Sequence, residues 1–84
     1  MRIPGYDIVE RLSAGPGVET LRARRQADGA AVLLKVLAQE YPSAAQVARL
    51  RLEFALLRRI DSEAVARPLA LETFGHRLVL VLED

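Results

Sequence analysis

Lys35 stands alone in an apolar run, AAVLLKVLAQ (residues 30–39). The chain holds 12 Lys and Arg residues. Lys35 is its only lysine, and every other basic position is arginine. On a strand, Leu33, Lys35 and Leu37 point to one face and Val32, Leu34 and Val36 to the other. Apolar neighbours on both sides imply an ammonium that is at least partly buried. Left unpaired, such a charge costs several kcal/mol, so it needs a carboxylate or an anionic ligand. Glu53 is the best-placed acid, because Leu50, Phe54 and Leu57 flank it on a helical pattern. Two blander arrangements compete. The lysine stem can carry its charge out to water, and Glu53 can pair with Arg49 one turn earlier. In a generic sequence these are the commoner outcomes. The single use of lysine favours a dedicated role, since a compact ammonium suits a phosphate and arginine suits planar forks.

The elements that must position this pair follow from patterning. YDIVERLS (6–13) alternates and is rich in β-branched and aromatic residues, which predicts a strand. AGPG (14–17) breaks it, and VETLRARR (18–25) alternates again. Asp28-Gly29 is a hairpin signal. AVLLKVLA (31–38) is then a central strand, apolar on both faces. Pro42 precedes Ser43, and Gln46 completes an S-x-x-Q capping box, so a helix begins there. Val47, Leu50, Phe54 and Leu57 form its apolar stripe, which Leu56 and Ile60 widen. Arg49, Arg51, Arg58 and Arg59 decorate the remainder, and the last two suit the dipole at the helix C-terminus. RPLALET (67–73) and HRLVLVLED (76–84) read as two further strands with a turn at Phe74-Gly75. Arg67-Pro68 suits the start of an edge strand. The predicted class is α+β, an antiparallel five-stranded sheet with one main helix, in the order β-β-β-α-β-β.

Composition narrows the function classes. Eighty-four residues make one small domain, able to bury roughly 60% of the unfolded surface. There is no cysteine, which removes disulfides and thiol chemistry, and the single His76 leaves no histidine pair for a metal. His76 reads as a surface residue; Phe54, Phe74 and Tyr6 read as packing residues. A net charge of +1 argues against nucleic acid as the partner. RARR (22–25) reads as a solvated strand end. No apolar run approaches a membrane span and no secretory h-region opens the chain, so a cytoplasmic protein is expected.

These residues resemble the N-terminal lobe of a protein kinase. VLLK (32–35) is similar to the family's V-A-I-K strand, and Glu53 in LEFALLRRI to the glutamate of its C-helix. LVLVLED (78–84) looks like the fifth strand running into the hinge, with Leu82 at the gatekeeper position and Glu83 opening the hinge. The resemblance spans the whole chain, 1–84, but only about the first third of a kinase. A narrower resemblance, in IPGYDI, AQEYPS and RPLALE, is to the Ser/Thr kinase-like domain that begins large bacterial multidomain signalling proteins. The resemblance implies ATP as the ligand. Lys35 would hold its α- and β-phosphates, Glu53 would orient Lys35, and Ser13, Gly15, Thr20, Leu33, Leu82 and Glu83 would frame the nucleotide. Mg2+ would be held by residues outside this chain, and a C-lobe would follow Asp84, where the chain looks cut.

The glycine loop departs from the family pattern. Where G-x-G-x-x-G is expected the chain reads Ser13-Ala14-Gly15-Pro16-Gly17-Val18, with only the middle glycine in place. A proline without N–H and a valine in place of glycine weaken a phosphate cradle. The catalytic and metal-binding Asp residues of phosphoryl transfer are absent from the chain, so it is not expected to catalyse alone. Three readings follow. The first is the nucleotide-binding lobe of a kinase acting on protein hydroxyls. The second is a non-catalytic pseudokinase module that binds a signalling partner. The third is an unrelated α+β binding domain, in which Lys35 and Glu53 would lie apart. An isolated lobe is also expected to leave its cleft and the face of its last strand uncovered, and to self-associate there.

Overall fold

The computed structural model describes residues 3–15, 17–38, 41–60, 66–75 and 77–84. Its elements are β1 (Tyr6–Gly15), β2 (Val18–Arg25), β3 (Ala31–Leu37), α1 (Ala44–Leu57), β4 (Pro68–Phe74) and β5 (Arg77–Glu83). The strands pair antiparallel in one five-stranded sheet, ordered β1-β2-β3-β5-β4. This is the expected α+β arrangement, with one helix. His76 and residues 61–65 of the helix–strand connection lie outside the described residues.

Local chemistry explains the turns. Between β2 and β3 the Arg25 N–H and Ala30 C=O still pair at 2.9 Å, and Gly29 supplies a φ of 72° that a side chain resists. Asp28 accepts the Ala30 N–H at 3.0 Å and both arms of Arg25 at 3.0 and 2.8 Å. Those bonds, led by Arg25, hold the Asp28 carboxyl down at about 2. Asp28 in turn raises the Arg25 guanidinium above its usual value. β1 runs two residues into the predicted break at 14–17, because Ala14 and Gly15 still pair with Glu19 and Val18.

The sheet curls until its outer strands meet. Two register shifts interrupt β1, between Ile8 and Glu10 and between Arg11 and Ser13. Each bulge adds twist. Tyr6 at the start of β1 thereby reaches β4, donating from its hydroxyl to Glu72 Oε1 at 2.7 Å and meeting Phe74 edge-on at 6.3 Å. Burial, followed by the bond to Glu72, pushes the Tyr6 phenol up to about 12. The enclosed face holds Ile3, Tyr6, Leu21, Ala23, Val32, Leu34, Val36, Val79 and Val81, all buried.

The other face packs on α1. Leu37, Leu50, Leu78, Leu80 and Leu82 are buried there, with Val47, Phe54 and Leu57 half-buried around them. Ser43 caps the helix as predicted: its hydroxyl accepts the Gln46 N–H at 3.2 Å, and Gln46 Oε1 accepts the Ser43 N–H at 2.9 Å. At the other end the Arg58 guanidinium sits 5.3 Å from the Phe54 ring centre.

Two expectations are corrected. Leu56 and Ile60 do not widen the buried stripe; they are 51% and 48% exposed, because they turn away from the sheet. The last strand is not bare. β5 lies between β3 and β4, and Leu78 through Leu82 are all buried, covered by the sealed face on one side and α1 on the other. No helix among the described residues is long and apolar enough to cross a membrane.

Candidate functional site

Lys35 on β3 is positioned by its neighbours on two flanking strands. Thr20 of β2 stands beside it on one side and Leu80 of β5 on the other. Cross-strand partners share a face, so its side chain rises on the face that α1 covers. The helix crosses with Leu50 buried beneath it, and Glu53, one turn on, is turned toward the strand. Lys35 Nζ donates to Glu53 Oε1. Arg49, the rival partner for Glu53, is exposed and makes no ion pair among the described residues. Lys35 therefore neither reaches away into water nor leaves Glu53 to its own helix.

The pair is wetter than the apolar strand suggested. The side chains of Lys35 and Glu53 retain 31% and 34% of their exposure. A pair this open contributes only about 0–1 kcal/mol to stability. Its exposure has a structural cause, a cleft of about 370 Å³ between the β1–β2 turn and the first half of α1. Val18, Lys35, Leu37, Ala45, Gln46, Arg49, Leu50 and Glu53 wall it. That volume falls in the range of small-molecule sites, about 300–1,000 Å³. Apolar walls and convergent donors, the Lys35 ammonium and the Arg49 guanidinium, suit an anionic ligand.

The β1–β2 turn is fastened over this cleft. Gly17 has a φ of 77°, and its C=O accepts the Ala38 N–H at 2.9 Å. A Cβ on Gly17 would fall 2.9 Å from Gln46 Nε2. The positive φ is what favours glycine there, since the Gln46 amide ends a flexible side chain that can shift aside. Gln46 thus caps α1 with its Oε1 and lies beneath the turn with its Nε2.

The remaining predicted residues fall in two rows on the sheet. Ser13, Thr20, Lys35 and Leu80 stand opposite one another across β1, β2, β3 and β5. Leu33 stands opposite Leu82 in the next row on the same face. Glu83 pairs with Val32 and is exposed, and its N–H donates to Arg67 C=O at 2.8 Å. Gly15 pairs with Val18 at the strand end. Of the predicted set only Lys35 and Glu53 wall the cleft itself, and Val18 rather than Thr20 is its β2 wall. Sequence reasoning missed Arg49, Val18 and Gln46 as walls. For Arg49 the spacing to Glu53 was the available signal, since residues four apart share a helix face.

Among the described residues, no three His, Cys, Asp or Glu side chains converge to hold a metal. No family model matches the chain, and no curated protein matches it.

Proposed function

We propose that this chain is the nucleotide-binding lobe of a protein kinase-like domain. The observation that carries this reading is the ion pair from Lys35 on β3 to Glu53 on α1, formed on a sheet of order β1-β2-β3-β5-β4. A pair worth so little to stability is better explained by placing an ammonium where a ligand needs it. Glu53 holds Lys35 facing the cleft. Lys35 takes the α- and β-phosphates of ATP, and Gly15 lies over them. Thr20, Leu33 and Leu82, on the same face of the sheet just outside the cleft walls, frame the base; Ser13 borders it, and Glu83 offers its backbone carbonyl. Mg2+ and the groups that move the proton and the phosphoryl lie outside these residues. Phosphoryl transfer to protein hydroxyls belongs, on this reading, to a longer protein carrying a second lobe.

A specific observation favours a second reading, a pseudokinase module that binds a signalling partner without catalysis. Val18 occupies the place of a loop glycine, and the turn is seated on Gln46, where a phosphate cradle would need open backbone N–H groups.

The test is a titration of the chain with Mg-ATP, followed by backbone amide shifts. The first reading expects shifts at Thr20, Leu33, Lys35 and Leu82, with a Kd near or below the millimolar range, about −4 kcal/mol. Lys35→Met should weaken binding by at least about tenfold, the loss of one charge-assisted contact. No shifts at several millimolar nucleotide, or equal shifts in Lys35→Met, would sink it and leave the interaction module.

A further inference from the structure

Helix α1 is apolar on both sides. Opposite its sheet-facing stripe, Leu52 and Leu56 are 58% and 51% exposed. A helix that is apolar all round is ordinarily covered all round. The exposed side also carries charge of one sign only. Arg51, Arg58 and Arg59 are exposed and none forms an ion pair among the described residues, although the Arg58 guanidinium also covers the Phe54 ring. The one acid of the helix, Glu53, is taken by Lys35. On or beside the strands, Arg11, Arg22, Arg25 and Arg67 each face a carboxylate, while Arg24 donates to Gly29 C=O and Arg77 forms no ion pair among the described residues.

The spacing gives this face a direction. Ala48, Leu52 and Ala55 recur at intervals of four and three residues, the spacing of a two-helix seam. The positions flanking that seam hold Arg51, Leu56 and Arg58. Flanking charges choose the partner in such contacts.

We propose that the outer face of α1 docks an acidic amphipathic helix of a partner protein. Leu52 and Leu56 sit against its apolar seam, and Arg51 and Arg58 pair with carboxylates beside that seam. A second copy of this chain fits poorly, since it would set one cationic face against another. An anionic membrane fits less well, because Leu52 and Leu56 are the only large apolar residues the helix turns outward and neither is aromatic. The proposal does not depend on nucleotide binding.

The probe is a synthetic helix of about three heptads, with leucine on its seam and glutamate at the flanking positions. It is titrated against the chain at low salt by fluorescence anisotropy, beside a lysine-flanked twin. The expected result is binding of the glutamate peptide only, weakened by salt. Arg51→Glu with Arg58→Glu should reverse the preference, so that the lysine twin binds. Leu52→Ala with Leu56→Ala should abolish binding and leave the melting curve in place, since alanine sustains a helix. Three results would each overturn the proposal: no preference between the peptides, equal or tighter binding to vesicles of anionic phospholipid, or a dimer of the chain that the leucine variant dissolves.

Discussion

The two faces of the sheet are built for different ends. One is closed by strands and by Ile3 just ahead of β1: Val32, Leu34, Val36, Val79 and Val81 are wholly buried, and Tyr6 seals them by joining the outer strands. The other is covered by one helix, of which only Leu50 is buried, and it opens into a cleft beside a half-wet ion pair. A dry, close-packed layer supplies most of the hydrophobic driving force. The wet layer has less to lose, so it can hold polar groups in position without desolvating them. Stability and chemistry are thus divided between two sides of the same strands.

Substitutions can break or sharpen that division. Leu34→Ala should cost about 4 kcal/mol, near the upper part of the range for buried leucine, because its closed layer cannot collapse around the gap. Leu50→Ala should cost less, about 2 kcal/mol, because the helix can settle. Urea denaturation of both variants measures the gap, and an equal or reversed order would end the comparison. Next in size is the seal. Tyr6→Phe should cost about 1 kcal/mol by removing one hydrogen bond.

Tyr6 also gives the closed face a pH signature. Its folded pKa is raised from 10.0 to about 12, so its contribution is complete below pH 10 and is lost as pH climbs toward 12. Tyr6→Phe should flatten that alkaline limb. The acid limb has the opposite sign. Asp28, lowered from 3.8 to about 2, contributes above its unfolded pKa, and that contribution disappears as pH falls through the folded value. Asp28→Asn should remove this limb, read as the difference between melting curves at pH 5 and pH 2. Smallest of all should be Lys35→Met, with about 0–1 kcal/mol lost, although it removes the residue on which the proposed ligand depends. A large loss of stability in that variant would mean the ion pair is structural.

Much of the architecture was legible because its signals are local. The alternation in VETLRARR, the Asp28-Gly29 turn and the Ser43–Gln46 cap each act within a few residues, and each was found where it was expected. The link between Lys35 and Glu53 was legible for a different reason, namely that an ammonium on an apolar strand has few ways to be satisfied. Tyr6–Glu72 was not legible. It depends on two bulges that curl β1, and nothing near Tyr6 in the chain announces a partner 66 residues away. Leu56 and Ile60 misled because apolar residues on both sides of a helix leave periodicity unable to say which side is buried. The burial of β5 was missed because the end of a sequence says nothing about the edge of a sheet.

That last point bears on how the protein is made. The fifth strand of the sheet in chain order is an interior one, inserted between β3 and β4. Until residues 77–83 have left the ribosome, β4 has no neighbour to pair with, and neither layer can be completed. During translation the sheet therefore cannot extend past the β1-β2-β3 meander until β5 is available. A nascent chain halted before β5 is the form in which chaperones would meet this protein.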